Sequence, residues 1–557
     1  MRKRINKWKV GFAALVIAVS SFLSVGYVDS YFEISKNLDI FATLYKELNI
    51  YYVDETNPGK LMKTAIDEML KSLDPYTNYY PESEIEDYRF MTTGEYGGIG
   101  SLIRKRDSLV MVAEPYQGFP AEKAGLWAGD IIEKIDGKSI TGYTTNEVSQ
   151  LLKGASKTEV KLDIFREVKN ERFQKTLIRE DIKIKDVPYY GMLNDEVGYI
   201  KLTGFTQTAS KELKAAFTEL KSEGMQKLVL DLRGNGGGLL NEAVNIVNFF
   251  VDKGQEVVST KGKVKQWDRV HRALNEPLDL EIPLIVLIDE MSASASEIVS
   301  GALQDLDRAV VIGRKSFGKG LVQQTRSLSY NSKLKVTVAK YYIPSGRCIQ
   351  KLDYAHKDEK GKATEVPDSL ISEFKTENGR SVFDGGGIEP DVNVDLTEFA
   401  NVTFSLMQKN LIFDFATQFR AKKDSIPTPK SFSINGDVYS EFTNFLSGKD
   451  YDYTTQTEEL LEDLKKAAEK ERVHTDLDEE FADLEKEIKE NKAKDIIKFK
   501  DEISRVLENE IVSRYYYQHG RVENELEYDE DIAKAIEVFE KENTYKDILS
   551  GAFAKNE

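Results

Sequence analysis

The 557-residue chain holds one cysteine, Cys348, and four histidines, His271, His356, His474 and His519. A single cysteine cannot close an intramolecular disulfide, which excludes a small cross-linked scaffold, and no stretch carries the Cys/His spacing of a zinc site. No metal or organic cofactor is implied. Positive charge is also scarce: 77 Lys and Arg stand against 94 Asp and Glu, for a net −17 and a pI near 5.1. Sequence-independent nucleic-acid binding needs a basic face for phosphate contacts, so that class is set aside. After residue 28 no run is long and apolar enough to form a further membrane span.

At roughly 150 residues per domain the length predicts three or four units. Residues 1–9 carry five basic side chains, and Val10–Val28 then runs without charge to Asp29. This is a basic n-region followed by an apolar stretch of export length, either a cleaved signal peptide or an uncleaved anchor, with the rest of the chain outside in both cases. Residues 30–90 have helical apolar spacing up to the turn sequence DPYTNYYPESE. From 91 to 167 a glycine cluster opens a small β-rich module with one helix, NEVSQLLKG. From 168 to 396 apolar strands alternate with helical periods, the pattern of an α/β layer. Residues 397–557 keep helical apolar spacing with many opposite charges at i,i+4, which predicts a folded helical domain rather than disorder.

Three segments of the α/β region can carry chemistry. In MSASASEIV, Ser294 falls where the strand Leu284–Ile288 gives way to a helix. In SFGKGLVQ, Lys319 sits between Gly318 and Gly320 in apolar company, where desolvation depresses an amine pKa from its ordinary value of about 10.4. With histidine so scarce and none beside these elements, a Ser/Lys pair is the better supplied nucleophile and base than a Ser/His/Asp triad. Gln323 is placed to orient the amine. The third segment, DLRGNGGGLL from Asp231 to Leu240, offers a glycine turn whose backbone N–H groups can stabilise an oxyanion together with the N–H of Ala295. Gly313, Gly318 and Lys319 also match the start of a phosphate-binding loop, but Gly320 replaces the required hydroxyl and the following LVQQTRSLSY reads as strand.

Taken together, SASASEI, SFGKGLVQ and DLRGNGGG resemble the C-terminal processing peptidases, or tail-specific proteases, exported serine endopeptidases with a Ser/Lys dyad and a built-in PDZ domain. The resemblance spans roughly residues 70–394 and includes the run GGGIEPDV from Gly385 to Val392. It implies an α/β catalytic core of the crotonase/ClpP-like peptidase fold with an inserted PDZ domain, an N-terminal helical segment and a C-terminal helical domain. It also implies Ser294 as nucleophile, Lys319 as base at the family's spacing of 25 residues, Gln323 as its orienting group, Ala295 and Gly237 as oxyanion donors, and Asp305 as an accessory acid. The module from about Glu95 to Arg166 is similar to the family's PDZ domain. There Gly97, Gly98, Ile99 and Gly100 would receive a C-terminal carboxylate while the substrate adds as a strand. Lys153 stands where many relatives have arginine, and a lysine cannot make the same bidentate contacts. The implied partners are polypeptides with exposed C-termini and the inner membrane if the apolar segment is retained. The acidic tail is open to an adaptor or to self-association. The competing class is a PDZ binding scaffold of the cell envelope that has lost proteolysis.

Overall fold

The computed structural model describes residues 31–552 apart from 396, 397, 472–476 and 542. The segment 1–29, read as a signal peptide or anchor, lies outside these residues, and among them no helix is long and apolar enough to cross a membrane.

The core is built on a six-stranded sheet ordered Tyr189–Met192, Val197–Lys201, Lys227–Asp231, Leu284–Ile288, Val310–Gly313 and Val392–Asn393, parallel after its first pair. Leu284–Ile288 is apolar and buried at all five positions, as a central strand covered on both faces must be. Side chains alternate across the sheet. Leu284, Val286 and Ile288 pack on the helices Ala209–Ser222, Leu240–Val247 and Ala295–Asp305, whereas Ile285 and Leu287 face the other way. That second face is covered by the end of the chain, with Ile532, Ala535 and Val538 on Glu530–Glu540 and Ile548 on Thr544–Ser550. The Tyr545 hydroxyl accepts from Leu284 N at 2.9 Å. The tail therefore supplies the third layer of the core; its last helices do not stand apart as a unit of their own.

A second, antiparallel sheet centres on Lys333–Tyr342, which pairs with Leu321–Ser327 along one edge and with Asn78–Tyr80 and Glu256–Gly262 along the other. Asn78–Tyr80 departs from the helical reading of residues 30–90. Helices do form over 31–51, Pro58–Lys71 and Ile85–Thr93. Between them, Asp74 Oδ1 accepts from the N–H groups of Tyr76 and Thr77, both at 2.8 Å, and turns the chain so that the aromatic residues after it join the sheet.

The β-rich module is an antiparallel sheet ordered Ser101–Arg106, Leu109–Pro115, Ile131–Ile135, Glu159–Arg166 and Glu171–Ile178. It runs past the boundary expected at 167, because Asn170 adopts a left-handed turn (φ 49°) that folds Glu171–Ile178 back on the preceding strand. Ser101–Arg106 is an edge strand, and Thr145–Leu152, started by a Thr144/Glu147 capping box, packs near it. Helices Leu411–Lys422 and Lys500–Glu525 hold this module. Arg106 pairs with Asp414 at 3.0 Å, Arg104 stacks 3.4 Å above the Phe413 ring, and Arg521 pairs with Glu114 at 2.7 Å.

Candidate active site

Ser294 occupies the junction between the strand Leu284–Ile288 and the helix Ala295–Asp305 with φ 57° and ψ −108°. A non-glycine residue in such a conformation costs on the order of 1–3 kcal/mol and persists only where its surroundings hold it. Those surroundings are specific. Asp289 Oδ1 accepts from Ser292 N at 3.0 Å, and Asn235 O accepts from Ala293 N at 3.0 Å and from Ser296 Oγ at 2.8 Å. The glycine turn thus lies directly against the serine turn. A Cβ on Gly237 would fall 2.6 Å from Ala293 O and 2.9 Å from Ala295 N, so only glycine keeps the face of the Ala295 amide clear. That amide, the first of the helix, has no intrahelical acceptor and is available to an oxyanion.

Glu297, one turn into the helix, ties the two motifs together. Its Oε2 accepts from Ser294 N at 2.7 Å and Lys319 N at 2.9 Å, while Oε1 accepts from Ser316 Oγ at 2.6 Å and Gly318 N at 2.7 Å. Complete burial pushes this carboxyl up to about 7, and the four donors act against that push. With every neighbour donating, the geometry is that of a carboxylate. Gly318 (φ 87°) lets the loop bend tightly here, since a Cβ would overlap Lys351 Cβ at 2.5 Å.

The Lys319 side chain is largely buried, and desolvation followed by the nearby Lys335 lowers its pKa to about 8, against the opposing pull of Glu297 and Asp74. Its Nζ stands 4.3 Å from the centroid of the Tyr76 ring and makes no hydrogen bond to Ser294 Oγ. The Tyr76 ring is held in turn by Tyr354, edge-on at 5.9 Å. Gln323 does not take up the orienting contact expected of it. A bulge between Val322 and Gln323 sets it opposite Thr337, to whose Oγ1 its Nε2 donates at 3.2 Å.

Two further expectations change. The Gly237 N–H donates to Asn235 Oδ1 at 2.9 Å, so in this structure Gly237 serves the site by having no side chain rather than as a free oxyanion donor. Asp305 lies at the far end of the 11-residue helix, about 16 Å along the axis from Ser294. It is fully buried against Arg347 at 2.8 Å and accepts from Ser345 N at 3.0 Å, a structural ion pair remote from Ser294. In the β-rich module Gly97 and Gly98 are drawn into a ladder with Asp181 and Glu180, and Gly97 O accepts from Gly154 N at 3.0 Å. The carbonyls of Ile99 and Gly100 accept from Ala121 N and Tyr116 N, at 2.8 and 2.9 Å. Lys153 pairs with Asp87 at 2.5 Å, tying the end of the module's helix to Ile85–Thr93. The sequence reasoning missed Glu297, Asp74, Tyr76 and Lys335. Glu297 was legible three residues after Ser294, at the capping-box position. Asp74 and Tyr76 lie over 200 residues upstream of Ser294 and carry no local signal.

Known proteins match the chain in the same three parts. Peptidase family S41 matches residues 196–356, a PDZ domain residues 111–166, and the C-terminal helical domain of a probable PDZ-protease residues 402–539. A carboxy-terminal-processing protease of Bartonella bacilliformis is 40% identical over 344 residues, covering 61% of this chain and 77% of that protein. The chain belongs to peptidase family S41. A probable CtpA-like serine protease of Staphylococcus aureus is 35% identical over 439 residues, covering 77% of this S41 peptidase and 76% of its relative. Among solved structures, a photosystem II D1 C-terminal processing protease aligns at 29% identity and a TM-score of 0.35, over 64% of this chain and 92% of that one. The family matches and the two sequence relatives make the S41 peptidase a serine-type peptidase with a PDZ domain and a C-terminal helical domain, and the inactive-scaffold reading is set aside.

Two substitutions probe this S41 site. Glu297→Gln turns an amide NH₂ toward N–H donors and leaves at least two of them unpaired, for an expected loss of about 2–6 kcal/mol in denaturant unfolding. Asp305→Ala leaves Arg347 charged and buried without its partner. It is expected to cost about 3–5 kcal/mol of stability while leaving the pH dependence of activity in the folded fraction unchanged; an altered pH profile at full stability would return Asp305 to the chemistry.

Proposed function

We propose that this S41 peptidase is an exported endopeptidase whose PDZ domain captures the C-terminus of an unfolded or tail-exposed polypeptide, and whose Ser294 and Lys319 cleave the extended segment that follows. The observation that carries the reading is the Glu297 carboxylate, which accepts from both the Ser294 and the Lys319 backbone N–H groups and so fixes the nucleophile's turn and the base's loop to one point. Neutral Lys319 takes the hydroxyl proton as Ser294 Oγ attacks the carbonyl carbon. The oxyanion faces the Ala295 N–H beside bare Gly237, and the lysine ammonium returns its proton to the leaving amine. Water then repeats the sequence on the acyl-enzyme. In this structure the Lys319 amine rests against the Tyr76 ring, and the proposed proton transfer requires it to reach Ser294 Oγ; such contacts are often incomplete before substrate binds.

The edge strand Ser101–Arg106 beside the helix Thr145–Leu152 supports strand addition of a peptide, with Ile99 and Gly100 at its start. Gln323 lies on the strand that follows the Lys319 loop, and Lys153 links the PDZ helix to Asp87. Export across the inner membrane, to the envelope or periplasm, is supported by the basic and then apolar residues 1–28. The acidic C-terminal helices leave room for an adaptor or a second copy.

The test is digestion of an unstructured protein, with and without a free apolar C-terminus, by wild type, Ser294→Ala and Lys319→Ala. Wild type is expected to cut and both variants to fail while folded; cutting by either variant sinks the dyad. Because the base must be neutral, kcat/KM should rise with pH through about 8, the value to which burial lowers Lys319. The neutral fraction grows about tenfold between pH 7 and pH 9, and a flat profile over that interval would assign the proton to another group.

A further inference from the structure

Arg233 opens the glycine turn that lies against Ser294, and its guanidinium is gripped from both sides. Nε and Nη2 reach Asp231 at 3.0 and 2.8 Å. Nη1 and Nη2 reach Asp529 at 2.9 and 2.7 Å, and Nη1 reaches Asp531 at 2.6 Å. Asp531 also faces Arg314, 3.6 Å away, at the start of the loop that leads to Lys319. Asp529 is the N-cap of the helix Glu530–Glu540, accepting from Ile532 N at 3.1 Å, and Asp531 lies in that helix's first turn. Carboxylates are favoured at a helix N-terminus, so the end of this helix is a natural seat for two acids that meet two arginines.

The consequence runs to the reacting groups through short contacts. Gly234 N, next to Arg233, donates to Asp289 Oδ1 at 2.9 Å, and the same oxygen holds Ser292 N. Asn235, two residues on, holds Ala293 and Ser296. Arg314 N donates to Ile288 O at 3.1 Å, and five residues later the chain reaches Lys319. One helix start from the C-terminal region thus grips the loop behind the serine and the loop in front of the lysine.

We infer that Asp529 and Asp531 are positioning residues for the peptidase: through Arg233 and Arg314 they set the distance and angle between the Ser294 turn and the Lys319 loop. This rests on the Ser/Lys reading above and extends it to a part of the chain with no reacting group of its own. These two aspartates then act on turnover, not on substrate capture. A misplacement of about 1 Å between reacting groups can cost about a hundredfold in rate.

The experiment uses the full chain with Asp531→Asn, Asp529→Asn and the pair together, measuring kcat, KM and the pH midpoint of kcat/KM on the unstructured substrate. Binding of a peptide aldehyde, which adds to the serine, is measured beside binding of a C-terminal peptide to the PDZ domain. The expected result is a fall in kcat of about tenfold to a hundredfold, a shifted pH midpoint and weakened aldehyde binding, with KM and C-terminal peptide binding unchanged. Wild-type kcat, pH midpoint and aldehyde affinity in the folded pair variant would overturn the inference, as would an effect confined to KM. If the pair variant does not fold, Arg314→Gln at the rim of the cluster takes its place in the same measurements, and the same results support or overturn the inference. Ser294→Ala runs in parallel: activity there would sink the Ser/Lys reading itself, whatever the aspartate variants do.

Discussion

The buried carboxylate of Glu297 is the contact on which the arrangement of this site depends. It takes two donors from the lysine loop, one from Ser316 and one from the serine's own backbone. Without it, a residue strained at φ 57° and a glycine-flanked loop would each have to be held by its own local contacts. A carboxylate with four donors in a buried setting is directional, because each N–H must point at an oxygen or lie unpaired in a low dielectric. The two loops are therefore fixed in relation to each other more tightly than apolar packing alone would fix them.

Around that point the molecule is assembled from distant pieces. The sheet that carries the serine is covered on one face by its own helices and on the other by the last helices of the chain. The strand beside the lysine's sheet comes from the N-terminal segment, which also supplies the Tyr76 ring and the Asp74 carboxylate. The PDZ domain is held by salt bridges and a stacked arginine to helices of the C-terminal region. Peptidase core and PDZ domain are thus each packed against the C-terminal region.

Much of this was legible in the sequence where a local rule applies. The wholly apolar Leu284–Ile288 announced a strand buried on both faces, the i,i+4 charges of the C-terminal region announced helices such as Gln456–Glu471 and Asp478–Lys498, and the small residues around Ser294 marked a strand-to-helix turn. Where the reading departed, the cause was long-range pairing. Asn78–Tyr80 is a strand because Lys333–Lys335 is there to meet it. Gln323 faces Thr337 because a bulge shifts the register. Gly237 gives its N–H to Asn235 because the turn closes on itself. Asp305 is an acid near the serine in sequence but a helix length away in space.

By itself the sequence determined the residues able to do chemistry: a serine at a turn, a lysine in apolar company, glycines where backbone must approach backbone, and too little histidine for another solution. Those properties belong to side-chain type and local spacing, which the chain carries before it folds. The tertiary structure alone decided which charges meet, from Lys319 between Tyr76 and Lys335 to Arg233 between Asp231 and the pair Asp529 and Asp531. Desolvation and pairing depend on neighbours as far apart in the chain as Tyr76 and Lys319 or Arg233 and Asp529, and only the packed layers bring these into contact.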